Sequence, residues 1–274
     1  MLYRKFSRSP SVKDYSILII SFRFRYPMKI CRFRKNIEIQ IGIVEGDEIW
    51  VCDENLQKTN ELCYFSEIEL LPAAAPSKIV CVGRNYAEHA KELGNEVPLE
   101  PLLFLKAPSA IIGNGSSIVI PPQSAQVEHE GELAVIIGRD CKNLKDYEDP
   151  LDFVFGFTCM NDVTARDVQK NDVQFTRGKS FDTFCPIGPF IETSLDVSDI
   201  HVVTIVNKII KQDGRTSQMV FTVPFLIRYI SRQMTLKEGD VIATGTPTGV
   251  SKLNPGDVCE VMIEGIGTLT NKVV

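Results

Sequence analysis

Nowhere in this 274-residue sequence do apolar residues run on for the roughly 18–20 positions that a membrane-spanning helix requires. The most apolar short stretch near the start, Ile17–Ile20, is soon followed by Arg23 and Arg25, so no membrane association is expected. A basic excess is missing too. Lysine and arginine number 30 against 35 aspartates and glutamates, for a net charge of −5 and a pI of about 5.4. Nucleic-acid-binding surfaces are normally basic, so that partner is excluded. The eight cysteines never take the C-x-x-C spacing of a zinc knuckle or redox pair. Scattered through a chain of this length, they read as reduced core thiols of a cytoplasmic or organellar-matrix protein. Gly178-Lys179-Ser180 is not a phosphate loop, because position 173, where the leading glycine would stand, is Val173. Histidine is scarce, so imidazole chemistry is confined to His89, His129 and His201.

What is present is ample core material, 44% hydrophobic, enough for one large domain and a small one. Residues 1–27 are set apart by Arg4, Lys5, Arg8, Lys13, Arg23 and Arg25 against the single acid Asp14. That composition is either a transit peptide, which would direct the protein to an organellar matrix, or an upstream start preceding Met28. The second reading is favoured, because Met28 leads directly into a strand, and it leaves the protein cytoplasmic. Residues 28–72 alternate with the two-residue strand period in Glu38–Val44, turn at Gly46-Asp47 and return through Ile49-Trp50-Val51, which reads as a small β domain. Pro72-Ala73-Ala74-Ala75-Pro76 resembles a linker into the main domain, 73–274. There strands dominate: Ser117–Ile120, Glu132–Ile137, Phe153–Met160, Val202–Val206, Val241–Ala243 and Val258–Ile263, with turns expected at Asp213-Gly214 and Asn254–Asp257. A short helix is expected from Tyr86 to Leu93 and an amphipathic one from Thr222 to about Met234, with Pro224 in its first turn. The fold class is therefore α+β and β-rich.

Three segments carry chemistry. In Glu128-His129-Glu130-Gly131-Glu132 a strand would point Glu130 and Glu132 to one face, where two carboxylates repel unless a proton or cation lies between them. A solvated strand end would also explain the pair. A third acid, Asp162, at the end of the apolar run Phe153–Met160, favours a hard, oxygen-ligated cation, Mg²⁺ or Mn²⁺. His89 and Glu92 are three residues apart on the short helix, as in an oriented general base or a mere surface pair. Lys179 follows Gly178, which is expected to let the backbone turn tightly beside a cation able to hold a carboxylate.

Taken in order, Gly83-Arg84-Asn85-Tyr86 with His89, Phe104-Leu105-Lys106, Glu130-Gly131-Glu132-Leu133, Asn161-Asp162 through Arg166-Asp167, Gly178-Lys179-Ser180-Phe181 and Thr244-Gly245-Thr246-Pro247 resemble the fumarylacetoacetate hydrolase family, in its acylpyruvate hydrolase and oxaloacetate decarboxylase branch. The resemblance runs from about Lys78 to the end. It implies a mixed β-roll catalytic domain, usually a homodimer, with Mg²⁺ or Mn²⁺ on Glu130, Glu132 and Asp162. It implies catalytic roles for His89, Glu92 and Lys179, and substrate contacts from Arg84, Lys106, Arg166, Gln169 and Thr246. Val82 stands where the eponymous hydrolase has a fourth acidic ligand, which argues against fumarylacetoacetate itself as substrate.

The activity this implies is cleavage of the C–C bond of an acylpyruvate-type 2-oxo acid. Oxaloacetate decarboxylation and 2-hydroxyhepta-2,4-diene-1,7-dioate isomerisation follow as alternatives on the same site. A non-catalytic metal-binding interaction protein is the rival class. It would need no separate base and no carboxylate clamp, so His89–Glu92, Arg166 and Lys179 argue against it.

Overall fold

Leu133–Ile137 is five apolar residues in succession. A strand with one wet face would alternate, so this one must be covered on both sides. In the computed structural model, which describes residues 27–274, the Gly131–Ile137 strand is buried along its whole length. Residues 1–26, nearly all of the expected N-terminal extension, lie outside the described residues. The strand belongs to a 12-stranded mixed sheet. Its neighbours are Val154–Asn161 on one side and Val241–Ala243 on the other, both antiparallel. Beyond Val241–Ala243 come Ile79–Gly83 and the edge strand Leu102–Lys106. Beyond Val154–Asn161 come Cys185–Glu192 and then Lys29–Lys35.

Ala134 and Ile136 face one core and Leu133, Val135 and Ile137 the other. The second core is covered by a five-stranded sheet, in the order Ile209–Arg215, His201–Val206, Val258–Ile263, Gly267–Val273, Ser117–Ile118. It is also covered by helix α4, Val223–Gln233, whose Val223, Leu226, Ile227 and Ile230 form a buried stripe at helical spacing. Three shorter helices are α1, Ala87–Glu92; α2, Arg166–Asn171; and α3, Thr176–Lys179. No helix among the described residues is long and apolar enough to cross a membrane.

The N-terminal strands do not stand apart. Lys29 and Ile30 pair with Glu192 and Ile191, so residues 28–72 extend the catalytic sheet. They keep a minor core of their own, Cys31, Phe33, Ile49, Val51 and Cys63. The expected boundary near residue 72 thus separates cores, not sheets.

Two turn assignments from sequence need correction. Asp213-Gly214 lies inside the Ile209–Arg215 strand; the hairpin turns earlier, at Asn207 and Lys208, both with positive φ (52° and 67°). Gly214 is small for a different reason: a Cβ there would sit 2.5 Å from Pro247 Cβ. Gly178 lies within α3, and a Cβ on it would come within 2.9 Å of Gln169 N, so it permits close packing of α3 on α2.

Gly131 is the tightest of these contacts near the chemistry. A Cβ there would lie 2.0 Å from Thr204 Oγ1 in the facing sheet. Gly131→Ala is expected to cost about 1–3 kcal/mol, as overpacking does. Thr204→Ala in the same chain should recover part of that loss. Denaturant midpoints of the four chains in this cycle check it; a Gly131→Ala chain as stable as the parent would contradict the packing described.

Candidate active site

The strand parity that buries Ala134 and Ile136 on one face carries Glu128, Glu130 and Glu132 along that side, and His129 and Gly131 along the other. The neighbouring strand brings Asp162 opposite Glu130: Gly131 pairs with Asn161, and Asp162 N donates to Glu130 O at 2.8 Å. Glu130, Glu132 and Asp162, all buried, offer ligand oxygens within 4.8 Å of one another.

Three cations meet these acids. Lys179, at the end of α3, donates to Glu130 Oε2 and Asp162 Oδ2, both at 2.7 Å, with its ammonium 5.0 Å from the centre of the Phe104 ring. Arg166, the first residue of α2, donates from Nε to Glu128 Oε2 at 2.7 Å, from Nη1 to Gln169 Oε1 at 2.7 Å, and from Nη2 to Glu130 Oε1. Lys106 donates to Asp162 Oδ1 at 2.6 Å and Val163 O at 3.1 Å.

Glu132 is left without a cation. It is 2% exposed, and among the described residues its carboxylate accepts one hydrogen bond, from Gly245 N at 2.7 Å. Burial, and then the Asp162 and Glu130 charges, push its carboxyl well above the usual range. Burial also raises Glu130, but Lys179 and Arg166 outweigh it and hold that carboxyl below the usual range. Burial opposes charge on Lys179, yet Asp162 and Glu130 prevail and raise its ammonium. Four carboxylates, Glu128, Glu130, Glu132 and Asp162, thus face three cations, and one negative charge is left over at Glu132. An all-oxygen donor set with an uncompensated buried carboxylate fits a hard divalent cation.

These groups open onto a cavity of about 480 Å³. Arg84, His89, Glu92, Glu130, Glu132, Asp162, Arg166, Gln169, Lys179 and Thr246 all line it, as do Val82, Phe104, Lys170 and Phe175. Lys106 does not: it is 2% exposed and sits behind Asp162 as a counter-charge. His89 is 5% exposed, and its Nδ1 lies 3.0 Å from Glu92 Oε2. Glu92 Oε1 in turn accepts from Gly249 N at 2.9 Å, so the dyad is anchored to the loop after Thr246. Arg84 holds a left-handed φ of 57° just past the Ile79–Gly83 strand, which turns the chain into α1. Thr246 spends its hydroxyl proton on Gly131 O at 2.8 Å. His129 faces away from the acids and is bonded to Gln212 and Ser251.

Sequence reasoning overlooked Glu128, although the same alternation that selected Glu130 and Glu132 includes it. Lys170 and Phe175 carried no signal, since nothing local distinguishes a cavity-lining lysine or phenylalanine from any other.

Residues 78–274 match the family model described as Fumarylacetoacetate (FAA) hydrolase C-terminal, and the chain belongs to this family. It is 40% identical over 255 residues to oxaloacetate tautomerase YisK of Bacillus subtilis, covering 84% of each chain. It is 45% identical over 222 residues to the human mitochondrial oxaloacetate tautomerase FAHD2A, covering 76% of this chain and 70% of that one. The crystal structure of 5-carboxymethyl-2-hydroxymuconate delta-isomerase from Mycobacterium smegmatis superposes with a TM-score of 0.83 at 40% identity, over 90% of this chain and 99% of that one.

A pH and metal dependence follows from Glu132. Its carboxyl is raised by folding, so the metal-free fold is favoured at acid pH and loses that contribution as pH climbs from the ordinary carboxylate range towards the raised value. Glu132→Gln is expected to remove this loss and raise the metal-free thermal midpoint at neutral pH. The same change should abolish stabilisation by Mn²⁺, which for the parent would reach about 2.7 kcal/mol at a hundred times Kd. Thermal melts with Mn²⁺ and with chelator decide it: equal Mn²⁺ shifts in both proteins would remove Glu132 from the ligand set.

Proposed function

We propose that this protein interconverts the keto and enol forms of a small 2-oxo dicarboxylic acid, with oxaloacetate as the leading substrate, and depends on Mg²⁺ or Mn²⁺ held by Glu130, Glu132 and Asp162. The observation that carries this reading is a buried, oriented imidazole opening onto the same cavity as the buried acid triad. When bound, the divalent cation supplies Lewis-acid stabilisation of negative charge on the substrate's 2-oxo oxygen.

The chain's own residues do the rest. Glu92 accepts from His89 Nδ1–H, which leaves Nε2 as the basic nitrogen of a neutral imidazole. That nitrogen removes the proton from C3, the C2–C3 double bond forms, and the 2-oxo oxygen takes a proton to complete the enol. In the reverse direction the enol hydroxyl gives up its proton and the imidazolium returns one to C3. Arg84 and Lys170 line the cavity with no carboxylate partner among the described residues, and are suited to the substrate's carboxylates. Gln169 keeps its amide N–H groups free for the same task while its carbonyl accepts from Arg166. Two relatives named as oxaloacetate tautomerases support the substrate class.

Acylpyruvate hydrolysis, the leading expectation from sequence, is the second reading. The same imidazole can take its proton from water instead of carbon, and a cavity of about 480 Å³ has room for a water beside a small acid. Both chemistries pass through an enolate, which is why the family resemblance alone did not separate them.

The test follows the ultraviolet absorbance of enol-oxaloacetate with Mg²⁺, with Mn²⁺ and after chelation, alongside release of pyruvate from an acylpyruvate. Metal-dependent loss of the enol band without pyruvate release is expected; pyruvate release as the faster reaction would replace tautomerisation with hydrolysis. His89→Ala should slow the reaction by about 10²–10⁴-fold with Mn²⁺ affinity unchanged. Glu92→Gln should cost less, because the imidazole remains. Parent-like turnover in both variants would remove the dyad from the mechanism.

A further inference from the structure

We propose that Gln212 is the positioning residue of the metal centre, holding the Glu130-Gly131-Glu132 backbone and the Thr244–Pro247 loop in one fixed relation. The inference rests on the three-carboxylate metal site proposed above, and concerns a residue that touches neither cation nor substrate.

Gln212 is fully buried on the Ile209–Arg215 strand of the second sheet. Its Oε1 accepts from Gly131 N at 2.9 Å and lies 3.1 Å from His129 Nδ1. Its Nε2 donates to Thr246 Oγ1 and to Pro247 O, both at 2.7 Å. The orientation of the amide is forced. Gly131 N–H can only donate and Pro247 C=O can only accept, so a flipped carboxamide would oppose like groups at both ends. With Oε1 facing it, His129 donates from Nδ1, and its Nε2 accepts from Ser251 Oγ at 2.9 Å. Every strong hydrogen-bonding position of the amide is used, and it cannot turn without stranding buried partners.

The strand is shaped to deliver this side chain. Thr204 pairs with Gln212, but Ile205 pairs with Ile210, so the register slips at Lys211 immediately before Gln212. Such an irregularity re-aims the adjoining side chains. The strand also lies hard against the loop: a Cβ on Gly249 would meet Lys211 O at 1.9 Å, and one on Gly214 would meet Pro247.

Two of the three metal-ligating acids flank Gly131, which has no side chain of its own to anchor that point. Gln212 supplies the anchor from the face opposite the acids. The same amide fixes the loop from which Gly245 N–H reaches the Glu132 carboxylate. Both the backbone beneath Glu132 and the donor that orients its carboxylate therefore depend on Gln212, which comes from outside every motif that marks the site.

The test titrates Mn²⁺ into the metal-free full chain by calorimetry and records the electron paramagnetic resonance spectrum of the bound ion. Gln212→Met keeps the volume and removes all four contacts. Gln212→Asn, shorter by one methylene, cannot reach Gly131 and Pro247 together, and serves if the first variant does not fold. In a folded variant Mn²⁺ affinity is expected to fall by about 10–100-fold, the usual effect of removing a partner behind the ligands. The bound-ion spectrum should broaden into a distribution of geometries. Loss of thermal stability with parental affinity and an unchanged spectrum would mean that Gln212 only supports the fold, and would overturn the proposal. A parent that binds no Mn²⁺ would overturn the metal site and this inference together, whereas tight parental binding with unaltered variants would overturn this inference alone.

Discussion

One buried carboxylate without a counter-charge organises this protein. Glu132 lies beside Glu130 and Asp162 in a pocket where Lys106, Arg166 and Lys179 are already committed to the other acids. An ionised carboxylate buried in that way is costly unless a proton or a cation joins it. A divalent cation turns the surplus negative charge into a surplus positive one, which is the condition for drawing an anionic 2-oxo acid into a cavity otherwise lined with acids. The sheet architecture serves this arrangement: adjacent antiparallel strands hold Asp162 opposite Glu130, and a glycine between the glutamates lets the second sheet approach closely.

Charge pairing also changes what the basic residues can do. Arg166 and Lys106 resemble substrate-binding residues when read from motifs alone. In the structure their donors are spent on carboxylates of the chain itself, and they act by setting the ionisation and aim of the ligands. Arg84 and Lys170, which line the cavity without such partners, are better placed to meet a substrate.

Much of the site was legible because it follows strand parity. Glu130 and Glu132 two apart, and Asp162 at the end of the next strand, are consequences of a period-two backbone and need no tertiary knowledge. The buried Leu133–Ile137 run and the stripe on α4 were equally plain. What was hidden depended on long-range contact. Residues 166–171 and 176–179 form helices too short to show a period, and Gly178 looked like a turn when it is a packing contact. The Cys185–Glu192 strand carries Pro186 and Pro189, which normally argue against a central strand. Gln212 sits in a polar stretch, Lys211-Gln212-Asp213-Gly214, that reads as a loop. Only the fold shows that its amide faces the strand between the ligands.

The most direct test of the central claim is an anomalous difference map from crystals grown with Mn²⁺ and oxalate, a small planar dicarboxylate. A single strong peak is expected at coordination distance from one oxygen each of Glu130, Glu132 and Asp162, with oxalate completing the shell on the side of His89. A peak elsewhere, or a Glu132 carboxylate still bonded only to Gly245 with no metal beside it, would contradict the account.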